Sequence, residues 1–438
     1  MNRSYRTMGL VFGAVLVVVG KSVADESADW APQGSSSPQS AYTWGPYTSE
    51  GTALSERNQE RFGWPVGKFF LQPYAQAMAV YEDNLLLNSM NKNSDLYTVF
   101  TPGAMLVYGN PRGNYVYVDY SLDFTDLQVD NNSFLDGQTL KVAGNMVNAK
   151  SQLNVSHEYR DVRDVDVQVG TRLKRQSNTT SAGYDNRVSS KTSVGVLGRY
   201  MLNQFDDPTY ADYREYSASG RMSWQMLPKT SLSGRAGHGW VDVDETRDAY
   251  GSAQYDEVAI GVFGRPRARL ETSGEVGVQH RYFENDNIDD ITREVGSVRI
   301  AGEPVERLRV WVAASAGLRP AINAPGYTVF DTRIEPGVSR RLFSERVVGA
   351  FSGLWGRSEY IGSAEGNTDP RVYDGRQDNY WGYNANVDWW IGRYWSMGLG
   401  YSYIKNDSPA DDTLVQGRGV ERASYEDGRW MLRATFNR

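Results

Sequence analysis

The feature that most constrains this chain is an alternation of period two that runs through most of its length. Val116, Val118, Tyr120, Leu122 and Phe124 alternate with Tyr117, Asp119, Ser121, Asp123 and Thr125. Val276, Val278, His280 and Tyr282 alternate with Glu275, Gly277, Gln279 and Arg281, and Trp381, Tyr383, Ala385, Val387 and Trp389 with Tyr380, Gly382, Asn384, Asn386 and Asp388. Successive side chains of a strand point to opposite sides, so each run is a strand with one apolar and one polar face. The runs last roughly 10–14 residues, about twice the 5–6 of an ordinary soluble strand.

Two kinds of connection take turns between the runs. Short ones include 109–113, Asn148-Ala149-Lys150, Leu227-Pro228-Lys229, Arg265-Pro266-Arg267 and Glu303-Pro304-Val305. Long, polar ones include 84–95, 284–293, 359–378 and 406–423. Counting through predicts about eighteen strands, with sixteen the next even number, nine long loops and eight short turns. An even count places both ends of the barrel on the short-turn side. Large aromatics (Tyr108, Tyr159, Tyr200, Trp224, Trp240, Tyr282, Trp389, Trp395, Tyr403) stand at the ends of the apolar faces, where a bilayer interface selects them. A soluble sandwich or propeller explains alternation alone; it explains neither the strand length nor the loop asymmetry. The expectation is all-β: a transmembrane antiparallel up-and-down β-barrel over 68–438, with short periplasmic turns and long extracellular loops.

Ahead of it lie two segments of different kind. Arg3 and Arg6 precede an apolar run from Met8 to Gly20, and Ser22-Val23-Ala24 supplies small residues before Asp25. The run is shorter than the roughly 20 residues of a spanning helix and fits a signal peptide over 1–24. Residues 25–67, with Gly34-Ser35-Ser36-Ser37-Pro38 and no apolar period, read as a flexible periplasmic segment. Export into the outer membrane of a Gram-negative bacterium follows. Composition agrees: there is no cysteine, so no thiolate metal site or disulfide framework, and the net charge of −7 speaks against wrapping nucleic acid. The mean hydropathy of −0.55 excludes a helical membrane bundle.

Function is expected on the polar face. Asp119, Asp123, Arg199, Arg221, Arg235, Glu271, Glu275, Arg299, Arg309, Arg333, Glu335, Asp388, Arg429 and Arg433 are candidate pore-lining residues, joined by Lys141 and Glu158. A barrel this wide leaves room for an aqueous channel whose charged walls set selectivity. Acids cluster early and arginines later, which predicts opposed patches and a transverse field. Mutual pairing that fills the lumen is the competing arrangement. Tyr115, Tyr117, Trp311 and Trp355 are read as luminal aromatics able to stack on sugar rings or to pack under a loop. The acidic tips Asp206-Asp207, Asp244-Glu245, Asp289-Asp290 and Asp411-Asp412 offer oxygen ligands that could bridge to lipopolysaccharide through divalent cations, without EF-hand spacing.

No catalytic residue, metal-ligand set or cofactor is assigned. His157, His238 and His280 each precede an aromatic on the apolar face, a position in the interfacial girdle, and Ser156 points away from its neighbour His157. Neither a nucleophile-elbow nor a zinc-protease pattern occurs. The last strand carries Trp430, Leu432, Ala434 and Phe436 on its apolar face and resembles the closing signal of outer-membrane assembly machinery, with Arg438 beyond the terminal aromatic.

Tyr81-Glu82-Asp83-Asn84, Asp95, Thr101-Pro102-Gly103, and the turns 189–193 and 227–231 resemble the outer-membrane family called beta-barrel porin type two, across roughly 68–438. Glu82 departs from the Asp usual there. EpsL-like members of that family are commonly encoded among exopolysaccharide genes, so the resemblance implies an exit pore for an extracellular polysaccharide. The functions in view are therefore a porin-like channel, a non-conducting barrel binding surface polysaccharide or an export partner, and, last, a lipid- or glycan-modifying enzyme. Expected partners are outer-membrane lipid and lipopolysaccharide, the assembly machinery, and polysaccharide or small solutes. Nucleic acid is not expected as a partner, and the sequence leaves the oligomeric state open.

Overall fold

The structure is a computed structural model. It describes residues 64–437 apart from 86, 88–91, 111–112, 127–136, 167–170, 209, 245–250, 268, 286–287, 323–326, 363–373 and 410–423. The expected leader, most of the tether, and Glu245, Asp411 and Asp412 lie outside the described residues. A three-residue strand, β1 (Trp64–Val66), turns at Gly67 and pairs with β2 (Phe69–Glu82), so strand is present slightly before Lys68.

Seventeen further strands follow. They are β3 (Asp95–Gly109), β4 (Tyr115–Asp126), β5 (Gly137–Val147), β6 (Ser151–Asp166), β7 (Thr171–Arg187), β8 (Thr192–Phe205), β9 (Tyr213–Leu227), β10 (Thr230–Val243) and β11 (Ala253–Arg267). The rest are β12 (Leu270–Phe283), β13 (Ile291–Val305), β14 (Leu308–Pro320), β15 (Tyr327–Leu342), β16 (Val347–Gly362), β17 (Gln377–Trp390), β18 (Trp395–Asp407) and β19 (Tyr425–Asn437). Each pairs antiparallel with the next, and β19 returns to pair with β2, closing a barrel of 18 strands. Among the described residues there is no helix. Closure gives each of the 18 strands two neighbours, which is what a sheet needs in order to span lipid.

The alternation decides which side is which. Val258 and Ile260 on β11 are 63 % and 64 % exposed, while Tyr255 and Ala259 on the other face are buried. Register carries this division from strand to strand: Arg235 opposes Ala259, which opposes Gly277, all on the inner face. Val116 and Leu432 belong to the outer row, as expected from the sequence, and Leu106, Val196, Ile300 and Leu399 join them. The barrel is thus apolar outside and polar inside, the inverse of a soluble sandwich. Its aromatic girdle packs edge to edge, with Tyr200 and Tyr216 at 5.0 Å, Trp395 and Phe436 at 5.1 Å, and Tyr401 and Trp430 at 4.6 Å between ring centroids.

The connection between β6 and β7 departs from the expected pattern. It was counted as a long loop, yet the two strands pair out to Asp166 opposite Thr171. Strand also replaces expected loop at 291–293 and 359–362.

Candidate functional site

All fourteen candidate residues fall on the inner face, but they are not segregated by sign. Arg235 on β10 lies between Glu257 on β11 and Glu275 on β12, bonding both, at 2.7 Å from the latter. Arg221 meets Asp185 at 2.6 Å, Arg333 meets Glu335 at 2.6 Å, Arg309 faces Glu271 at 3.6 Å, and Arg433 pairs with Asp388. Arg429 bridges Asp427 at 2.7 Å and Glu82 at 3.3 Å. Asp119 accepts a hydrogen bond from Tyr74 Oη at 2.8 Å and Asp123 one from Thr101 Oγ1 at 2.5 Å. Arg199 lies beside Met201 Sδ, and Arg299 stands between Ser273 and Ala313 in register. The expected transverse field is therefore corrected to short-range pairing along the wall. Opposite charges brought together at low dielectric gain more by pairing than by standing apart.

Glycine makes several of these contacts possible. Asp185, Gly195 and Arg221 lie in one row across β7, β8 and β9, and the ion pair passes over the glycine. Asp388, Gly398 and Arg433 repeat the arrangement across β17, β18 and β19. A Cβ on Gly398 would stand 2.4 Å from Asp388 Oδ1. Tyrosines use the same slot. Tyr74 crosses Gly103 to Asp119, Tyr255 crosses Gly239 to Glu215 at 2.7 Å, and Tyr380 crosses Gly356 to Asp331 at 3.2 Å. Each bridge ties a strand to its second neighbour, something backbone pairing alone cannot do.

Exposure divides the lumen into two zones. Lys141, at the middle of β5, and Glu271, at the short-turn end of β12, have side chains 44 % and 52 % exposed although they point inward. Water therefore reaches the inner wall there. At the long-loop end the inward groups are sealed: Glu82, Arg281, Asp331, Arg376, Asp378 and Asp427 are all buried. Asp331 accepts from Ser358 Oγ at 2.7 Å, and Arg376 forms a two-bond pair with Asp378 at 2.9 and 2.6 Å while lying 4.5 Å over the Tyr360 ring. Tyr97 donates to Glu82 at 2.8 Å, fixing the register of the closing seam where Glu82 opposes Arg429.

Above Arg281 the lumen is filled by the inward-turned ends of β14 and β15. Pairing between β13 and β14 stops at Gly296 opposite Ala316, although β14 continues to Pro320 and stays paired with β15 up to Thr328. Gly317 to Ile322 and Tyr327 to Val329 are buried on both faces, so this end has left the wall. Ile322 reaches past β12 and β13 to pack on Met201, Tyr213, Val241 and Tyr255, inner-face residues of β8 to β11. Its carbonyl accepts from Ala211 N at 2.8 Å. Burying such a side chain contributes about 1.5–3 kcal/mol. Beside it, burial raises the Asp212 carboxyl above the usual carboxylate range and Asp244 adds to this, against the lowering bond from Phe205 N–H.

Two further expectations meet the structure here. Trp355 is corrected to the outer face: it is half-exposed, opposes Trp381 and Ile334, and shares the outward parity of Phe351 on β16. Tyr115, Tyr117 and Trp311 do face inward, Trp311 lying on Gly337. The histidines stand in the outer girdle as expected. His157 bonds Thr180 at 2.9 Å, His238 bonds Asp256 at 2.8 Å and packs on Trp240, and His280 bonds Thr292 at 2.7 Å and packs on Tyr282. Ser156 turns inward to Ser181, away from His157. Among the described residues no group of three metal-ligating side chains converges.

The inner residues that sequence reasoning missed are Glu82, Asp185, Glu257, Arg281, Arg319, Asp331, Arg376 and Asp378. Arg281 and Glu257 were legible as inward by alternation; their partners, two or more strands away, were not.

Fold and lumen together define a transmembrane β-barrel with a polar interior. No protein-family model matches the chain, and no curated protein matches its sequence. Solved structures do resemble it. The siderophore receptor PirA of Pseudomonas aeruginosa is 9% identical, with 86% of this chain and 81% of that one covered at a TM-score of 0.42. OccK1 (OpdK) of the same organism is 8% identical, with 84% and 99% covered at 0.45. The FrpB iron transporter of Neisseria meningitidis is 10% identical, with 79% and 64% covered at 0.45. These likenesses concern the course of the barrel and say nothing about what this chain carries.

Proposed function

We propose that this protein is a porin-like channel of a Gram-negative outer membrane, passing hydrophilic solutes through a charge-lined lumen. The observation that carries the reading is the water-exposed inner wall behind an apolar outer surface: Lys141 and Glu271 face the axis and stay solvated. A lumen packed shut would bury them. The fourteen inner-face charges, eight arginines and six acids with most of them paired, would give weak selectivity and low stickiness for ionic solutes. The outer rows meet lipid and lipopolysaccharide, and β19 presents Trp430, Leu432 and Phe436 to the assembly machinery. The test is single-channel recording of refolded protein in planar bilayers. Steady conductance supports the channel; silence from heat-modifiable, folded protein supports the non-conducting scaffold instead.

The finer reading, an EpsL-like exit pore for an extracellular polysaccharide, rests on the strand-end and turn motifs noted above. Inward Tyr115 and Tyr117, whose rings stack at 6.2 Å, supply an aromatic platform of the kind sugar rings use. A polymer passing outward has to displace the infolded β14–β15 end. Deleting the gene should leave polymer in the periplasm and none outside; unchanged surface polymer removes this finer reading and leaves the channel standing.

A further inference from the structure

We infer that the infolded end of β14–β15 is a movable partition, and that Arg281 beneath it is the group through which an anionic solute opens it. The inference rests on the channel reading and deepens it, naming the class of solute and the device that admits it.

Three observations converge. The first is mechanical. Beyond Gly296 no β13–β14 pairing remains among the described residues, and 317–320 keep their ladder with β15. Gly296 sits at the point of departure with φ +151, where a Cβ would lie 2.3 Å from the Glu275 carbonyl oxygen. Only glycine fits a fork of that shape.

The second is the far contact. Ile322 closes on an apolar patch, with a backbone bond to Ala211. Such a contact is made or lost as a unit, and it joins the partition to a surface loop.

The third is Arg281 itself. It is 2 % exposed. Its hydrogen bonds, 3.5 Å to Thr328 Oγ1 and 3.4 Å to the Leu318 carbonyl, are long and go to neutral oxygens of the partition. Nε is buried and has no hydrogen-bond partner among the described residues, and the guanidinium lies 5.8 Å over the Tyr255 ring. Glu215, the acid on that side, is engaged by Tyr255 at 2.7 Å. A buried cation that has Glu215 near it but no direct ion pair among the described residues is unfavourable, and the closed state bears that cost. Lifting the partition hydrates Arg281. A carboxylate or phosphate in the lumen gains a planar two-pronged donor by the same movement, and so favours the open state. Apolar contact closes the partition and buried charge opens it.

The chain has no cysteine, so a lock can be introduced cleanly. The double variant Ala211→Cys/Ile322→Cys places two thiols where the backbones already touch. In planar bilayers the oxidised double variant is expected to conduct several-fold less than after dithiothreitol. Ile322→Glu, which breaks the apolar contact, is expected to raise the open fraction without added solute. Citrate, but not glycerol, should lengthen openings of the unaltered protein. Arg281→Met, which removes the buried charge, should lower the open fraction and abolish the citrate response. Equal conductance before and after reduction, an unaltered Ile322→Glu, or an Arg281→Met that opens more, each overturns the inference while leaving the channel. Silence from every folded form, Ile322→Glu included, overturns the channel itself.

Discussion

The two zones of the lumen use the same residue types and treat them differently. At mid-barrel, Lys141 and Glu158 approach to 3.4 Å and remain wet. At the long-loop end, Arg429 holds Asp427 and Glu82 in a buried cluster, and Arg376 holds Asp378 likewise. A wet pair gains little, because water screens it and each partner is solvated when apart. A dry pair is costly to assemble and costlier to break, since removing one member strands the other without water. The difference teaches that inward polarity alone does not make a functional lining. Solvent access decides whether a charge meets solute or holds the wall.

The comparison can be broken most directly at the closing seam. Arg429→Ala leaves Glu82 and Asp427 buried without their cation and should destabilise the barrel by about 3–5 kcal/mol, read by urea unfolding in liposomes. Next comes the outer face. Val258→Arg puts a charge on the most exposed apolar row and is expected to cost about 2–4 kcal/mol in the same assay, an effect absent if that row faced water. Gly356→Val fills the slot beneath the Tyr380 ring, where a Cβ would lie 2.1 Å from Cζ, and breaks the bridge to Asp331; about 1–3 kcal/mol is expected. The smallest effect belongs to the wet zone. Lys141→Gln should change stability by less than about 0.5 kcal/mol while shifting the cation-to-anion permeability ratio toward cations. Comparable destabilisation by Lys141→Gln and Arg429→Ala would erase the distinction between the zones.

Much of this was readable before the fold was known, and the rest was not, for identifiable reasons. Val116 to Phe124 and Val276 to Tyr282 announce their outer face because side-chain direction in a strand repeats every two residues whatever lies beside it. His157, His238 and His280 were assigned to the girdle by the same local rule. Trp355 belongs outside by the same local rule, since it stands four residues from outward Phe351 on β16, and reading it as luminal set that alternation aside. Arg221 showed as inward, yet its pairing with Asp185 over Gly195 depends on which strands are second neighbours and in what register. The expected field across the lumen failed for that reason: order along the chain is not order around the wall once side chains reach over a strand.

By itself the sequence determined the number and length of the strands, the apolar outside and polar inside, and the alternation of short and long connections. All of these follow from local backbone geometry and from the unfavourable burial of unpaired polar groups. Only the tertiary structure decided which inner charges stay wet, which lock together over a glycine, and that the β14–β15 end folds inward. Those outcomes depend on contacts made across the barrel, and such contacts exist only after closure has set curvature and register for the whole ring at once.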